Sequence, residues 1–158
     1  MSAFKDPQTK YWEDFSLGDT IVTRGRTVDI SDITSFAGLT GDHYPLHTDE
    51  EYARKTRFGT RIAHGPLVFA IAVGLVGMTG FYGDAIIALV EIRELRALQP
   101  VKPGDTLRVR AMVADLTTAS KPKYGQLSVE YRVENQTGDI VMTFTQVMLA
   151  NRRGDERA

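Results

Sequence analysis

With 158 residues and a formal net charge of −1, the chain has the size of one domain with a real core, and its pI near 6.3 leaves no basic stripe to hold a nucleic acid. It contains no cysteine, which excludes disulfides, a thiolate nucleophile and a zinc–thiolate centre and fits a cytoplasmic protein. Acidic substrates stay open, because a pocket needs only a few Lys or Arg.

Met1 to Lys10 is polar and lacks an apolar h-region, so neither a secretory signal nor a membrane anchor is expected. Trp12 to Gly18 reads W-E-D-F-S-L-G, an aromatic and acidic lead-in ending on a turn glycine. Ile21 to Val28 has the composition of a strand. Asp29 is placed to cap a short helix carrying Ile30, Ile33 and Phe36, with Val28 and Ile33 as a hydrophobic staple, and Gly38 and Gly41 interrupt it. Asp49 caps a further short helix through Tyr52 and Ala53, and Arg54 to Arg61 follows as a basic loop.

Gly65 and Pro66 read as the N-cap and first residue of a helix running to about Thr79, stopped by Gly80. Leu67, Val68, Phe69, Ala70, Ile71, Ala72, Val73, Leu75 and Val76 leave it no polar face, so it is expected to be buried on all sides. At about fourteen residues and 1.5 Å per residue it is roughly 21 Å long, too short for a bilayer core of about 30 Å. One curved antiparallel sheet is the simplest wrapper, with Gly74 and Gly77 expected to let backbones approach closely.

The rest of the chain has strand character. Ile86 to Leu98, Thr106 to Leu116, Gln126 to Glu134 and Ile140 to Ala150 are expected strands, with Arg108 and Arg110 facing outward. P-V-K-P-G-D and Lys121 to Gly125 separate the first three, and N-Q-T-G-D is a hairpin signal before the last. The element order gives an α+β hot-dog fold, an antiparallel sheet rolled around a central helix. Residues 1–151 are expected to form one such domain, and 152–158 a disordered charged tail. Such a sheet keeps an edge, and pairing with a second copy would cover it, so a homodimer is expected.

Asp42 and His47 flank Pro45, so no continuous helix carries both; a turn can still bring carboxylate and imidazole within reach of one water, as acid–base chemistry requires. On these two residues alone the plainer reading prevails, with Asp42 capping a turn and His47 an ordinary surface histidine. The wider pattern changes that. F-A-G-L-T-G-D-H-Y-P-L-H-T-D-E-E-Y-A, then I-A-H-G-P-L, then L-R-A-L-Q-P-V-K-P-G-D-T-L, resembles the MaoC-like or R-specific 2-enoyl-CoA hydratase family of hot-dog proteins over nearly the whole chain.

The family's signature, G-D-x-N-P-x-H, is matched by Gly41, Asp42, Pro45 and His47. Tyr44 stands where the family has Asn, and Val73 falls by spacing where the family often has a supporting Ser on the central helix. The resemblance implies a hydratase or dehydratase that adds water at C3 of a 2-enoyl thioester of coenzyme A or an acyl carrier protein. Asp42 and His47 would activate the water, and the Gly65 N–H, at the positive end of the helix dipole, would meet the charge on the thioester oxygen.

His64 reads as a structural or pocket-lining residue, and Tyr44 as a contact of the substrate. Arg54, Arg57, Arg61, Lys121 and Lys123 are the cations available for the substrate's phosphates, with Arg61 and Lys121 chosen as substrate-binding residues. No metal is expected, because Pro45 denies His43 and His47 a common helical face, and no cofactor is implied. Two rival readings remain: a hot-dog thioesterase, in which water attacks the carbonyl, and a catalytically silent acyl-thioester binding subunit, which the departures at Tyr44 and Val73 keep open.

Overall fold

Alternation of side chains organises the sheet. In β4 (Thr106–Thr118) Leu107, Val109, Ala111 and Val113 are buried and the residues between them are exposed. A slip of one residue would turn all four outward, at about 1.5–3 kcal/mol for each larger aliphatic side chain, which pins the register. β5 (Tyr124–Glu134) and β6 (Ile140–Asn151) continue the sheet antiparallel, and β3 (Ile86–Ala97) closes it on the far side of β6. With β1 (Thr20–Val22) the order is β1-β4-β5-β6-β3, and β2 (Arg26–Thr27) also pairs with β4. The computed structural model describes residues 9–118, 121 and 123–154.

Four helices lie between β2 and β3: α1 (Ile30–Thr40), α2 (Pro45–Thr48), α3 (Glu50–Arg54) and α4 (Gly65–Gly77). Asp29 caps α1 in a capping box with Asp32, and Val28 and Ile33 are fully buried beneath it. α1 runs through Gly38 and ends at Gly41, whose φ of +77° suits glycine and whose N–H donates to the Ala37 carbonyl at 2.8 Å. Asp49 caps α3. No helix among the described residues is long and apolar enough to cross a membrane.

The central helix differs from expectation in three ways. Its N-cap is His64, which makes Gly65 the first helical residue, and it ends at Gly77. It is not enclosed on all sides: Leu67, Val68, Ile71, Ala72 and Val76 face the core, whereas Pro66, Ala70 and Gly74 form an exposed line along the opposite side. Residues four apart share one helical face, and the rolled sheet leaves that face uncovered in a single chain. Nothing lies within 4 Å of where a Cβ on Gly74 or Gly77 would stand, so neither permits a close backbone approach within the chain.

The expected first strand is divided at Gly25, where a Cβ would sit 2.9 Å from the Thr106 methyl. Strand β3 is an edge, and its Ile87, Leu89 and Val90 are exposed. Residues 12–14 and 152–153 are strapped together beside β5 and the end of β6. Trp12 packs over Gly125 and donates to the Gln126 carbonyl at 3.0 Å, while Arg152 pairs with Glu13 at 2.9 Å and Arg153 with Asp14. Of the expected tail, 155–158 lie outside the described residues.

Candidate active site

After the Gly41 cap, the chain enters a turn held by its own side chains. The Thr40 hydroxyl accepts from the Asp42 N–H, and Asp42 Oδ1 accepts from the Tyr44 N–H, both at 3.2 Å. Tyr44 is extended, as a residue before proline should be, and Pro45 opens α2. The plain role of Asp42 as a turn former is therefore real, yet it occupies one carboxylate oxygen.

Two backbone carbonyls fix the histidines. His47 Nδ1 donates to Ile62 O at 2.7 Å, and His64 Nε2 donates to Asp42 O at 3.0 Å. A carbonyl only accepts, so each ring carries its proton on the bonded nitrogen, leaving the lone pairs of His47 Nε2 and His64 Nδ1. The rings stack with centroids 3.8 Å apart and planes 28° apart, and Phe36 lies against His64 at 5.0 Å. Exposure falls from Asp42, which is open, through half-buried His47 to His64, which is 1 % exposed.

An oxygen of Asp42 and a ring nitrogen of each histidine lie within 4.8 Å of one another. The Asp42 carboxylate and the His47 ring are thus close enough to contact one water between them. A metal would need in-plane lone pairs converging at about 2.0–2.1 Å, and near-parallel stacked rings direct theirs side by side.

A cavity of about 260 Å³ adjoins the pair, with His47, Gly65, Phe58, Val68, Leu98 and Met142 among its walls. Gly65 stands at the start of α4, where no side chain caps the helix and a Cβ would meet open space. No side chain caps its N–H, which stands at the positive end of the dipole, and Gly65 lines the same cavity as His47.

The other expected residues fare unequally. Tyr44 is exposed, edge-on to His47 at 6.3 Å and to Tyr52 at 6.4 Å, and hydrogen bonding with the Tyr44 phenol raises the Tyr52 hydroxyl above its ordinary pKa. Arg61 is committed to Glu50, Nε to Oε2 at 3.0 Å, and this bond, with one from Thr60, holds the Glu50 carboxyl below its usual value. Lys121 is not at the cavity: its carbonyl accepts from Tyr124, which pairs with Asn151, whereas Met142 lines the cavity at the other end of β6. Nine residues of strand at about 3.4 Å each put roughly 30 Å between them. The cation on the cavity wall is Arg57, whose guanidinium lies 4.9 Å from the Phe58 ring. Val73 has no hydroxyl to offer, and the one that bonds Asp42 is Thr40's, on the backbone N–H.

Residues 14–135 match the family model of the MaoC like domain. The chain belongs to the MaoC-like domain family. Among its relatives is a 3-hydroxybutyryl-CoA dehydratase of Methylorubrum extorquens, 36% identical over 106 residues, which are 67% of this chain and 65% of the relative. An (R)-specific enoyl-CoA hydratase of Rhodospirillum rubrum is 42% identical over 67 residues, 42% of this chain and 46% of the relative. The match thus spans less than two thirds of either relative. A solved structure named as a monoamine oxidase regulatory protein, from an Archaeoglobus species, superposes with a TM-score of 0.86 at 38% identity, covering 90% of this chain and 95% of that one. The hot-dog MaoC-like architecture therefore extends well beyond the signature motif, and the Asp42–His47 turn sits inside the matched region.

The His47–His64 stack, the Ile62 carbonyl and the cavity position of Arg57 had no distinct signal in the sequence. Each depends on segment 57–65 folding back onto the turn at 42–47, which no local periodicity encodes.

Proposed function

We propose that this MaoC-like domain interconverts a 2-enoyl thioester and a 3-hydroxyacyl thioester, with coenzyme A or an acyl carrier protein as the thiol, and works as a cytoplasmic homodimer. One observation carries the reading: a carboxylate oxygen of Asp42 and a ring nitrogen of His47 lie within 4.8 Å of each other, and His47 lines a cavity together with Gly65, the first residue of the uncapped helix α4.

The hydrogen bond from His47 to Ile62 makes Nε2 the base. In the forward direction a water O–H bond breaks toward His47 Nε2 while the oxygen forms a bond to C3, and Asp42 orients the water. The electron pair of the C2–C3 double bond moves toward the thioester, whose oxygen is met by the Gly65 N–H. Return of the proton to C2 completes the 3-hydroxyacyl product with no net gain or loss, and dehydration runs the same steps backward. A donor of this kind typically supplies about 2.7–4 kcal/mol of transition-state stabilisation. The names borne by the relatives support the same reaction class.

Arg57, rather than Arg61 or Lys121, is the cation we assign to an anionic group of the substrate at the cavity. The homodimer reading is supported by the edge strand β3 with exposed Leu89 and Val90, and by the open line of Pro66, Ala70 and Gly74 on α4. The one-domain reading of residues 1–151 is kept.

The test is loss of the conjugated enoyl-thioester absorbance when the protein meets 2-butenoyl-CoA, with Asp42→Asn alongside. Turnover that falls about 10²–10⁴-fold in the variant is expected. Release of free thiol would replace this reading with the thioesterase, and tight binding without turnover would replace it with the silent binding subunit that Tyr44 and Val73 keep open.

A further inference from the structure

His64 is used by none of the steps above, yet it contacts both Asp42 and His47. It follows Ala63, whose N–H donates to the Val101 carbonyl at 2.8 Å, so the backbone just before the ring is tied to another wall of the cavity. The ring then reaches back twenty-two positions to the Asp42 carbonyl and lies flat against His47. Its Nδ1 is fully enclosed without a hydrogen-bond partner, one of two such side-chain atoms among the described residues, the other being Gln146 Oε1. A buried acceptor left unmet is a cost that a core normally avoids, by using an apolar ring or a satisfied amide.

Neither substitute would do what this ring does. A phenyl ring offers the flat face but no donor, and a carboxamide offers the donor but no face to stack. An imidazole supplies both, and the enclosed Nδ1 is the consequence. We propose that His64 is a positioning residue that clamps both halves of the dyad at once: Nε2–H holds the Asp42 backbone, and the ring plane holds His47 so that its Nδ1 stays on the Ile62 carbonyl and its Nε2 faces the cavity. With Nε2–H committed and Nδ1 sealed from the cavity, His64 does not exchange protons with substrate; that task falls to His47. The kinetic consequence rests on the hydratase reading, whereas the clamp itself does not.

Two variants divide the clamp. His64→Phe keeps the face and loses the donor; His64→Gln keeps a donor near the Nε2 position and loses the face. Each is expected to lower kcat by about tenfold to a hundredfold, the range that a small misplacement of a reacting group produces, with KM within about twofold and Tm little changed. His64→Ala, which loses both, is expected to fall further than either. Loss of kcat only in proportion to lost Tm, or full activity in both variants, would overturn the proposal while leaving the hydratase intact. Absence of turnover in the wild-type protein would instead defeat the reaction assignment, and the clamp is then read from imidazole ¹H–¹⁵N spectra. The expected result is His47 as the Nδ1–H tautomer in the wild type and as a tautomer mixture in both variants; unchanged His47 signals would overturn the clamp.

Discussion

Two pairs of polar rings are sunk into this fold, and they are finished differently. Tyr82 and Tyr131 meet hydroxyl to hydroxyl at 2.6 Å, with Tyr131 1 % exposed and stacked on Phe144 at 4.5 Å. One hydroxyl donates and the other accepts, so both are hydrogen-bonded within the protein. His47 and His64 do not bond each other. Each gives one nitrogen to a backbone carbonyl and keeps a lone pair, His47's beside the cavity and His64's sealed. The tyrosines bond each other, whereas the lone pair left on His47 is the one that the proposed reaction would use.

The difference can be broken most sharply at His47. Replacing it with Gln should cut turnover of 2-butenoyl-CoA by about 10²–10⁴-fold with Tm within a few degrees of wild type, because the loss is of a base and not of core packing; an equal loss of Tm would put His47 on the structural side. The tyrosine pair should respond the opposite way. Tyr131→Phe strands the Tyr82 hydroxyl in the core at a cost of about 1–3 kcal/mol, which for a chain of this size lowers Tm by about 2–4 °C per kcal/mol, while activity is kept. Tyr82→Phe combined with Tyr131→Phe removes both hydroxyls and should recover much of that loss, as thermal unfolding of the three variants would show.

The same pair should give an alkaline signature. Burial raises the Tyr131 hydroxyl from 10.0 to about 12 and pushes Tyr82 up as well. Below about pH 10 the hydroxyls are protonated in both folded and unfolded chains and contribute no pH dependence. Above it the unfolded chain ionises first, so stability should fall as pH rises from about 10 toward 12, and the doubly substituted protein should lose most of that slope in denaturant titrations. The smallest effect belongs to Glu50→Gln. Hydrogen bonds from Arg61 and Thr60 hold the Glu50 carboxyl below its ordinary value, so the stability they lend is present above that value and lost as pH falls through the lowered one. Removing the carboxylate should flatten that part of the acid limb slightly and release Arg61; an unchanged acid limb would show the pair to be energetically silent.

Much of the fold was legible because its signals are local. Asp29 and Asp49 cap the helices expected of them, the four long strands lie where alternation put them, and the turn around Gly138 joins β5 to β6. The reach from Asp42 to His47 was legible for the same reason, since Gly41 and Pro45 fix the chain between them. The errors share a cause as well. Burial of α4 on all sides was inferred from its composition, but the number of walls around a helix is set by how far the sheet curls. Arg61 was chosen by charge, and its ion pair depends on Glu50 lying across a fold of the loop.

By itself the sequence determined the positions of the long strands, the Asp29 and Asp49 helix caps and the Asp42–His47 turn, because hydrophobic period, capping and proline geometry act over a few residues. Only the tertiary structure decided which nitrogen of His47 faces the cavity, that His64 lies beneath it and that Arg57 rather than Lys121 stands on the cavity wall. Those outcomes require segment 57–65 to dock on the turn at 42–47, and the partner of a side chain across such a contact is fixed by packing in space.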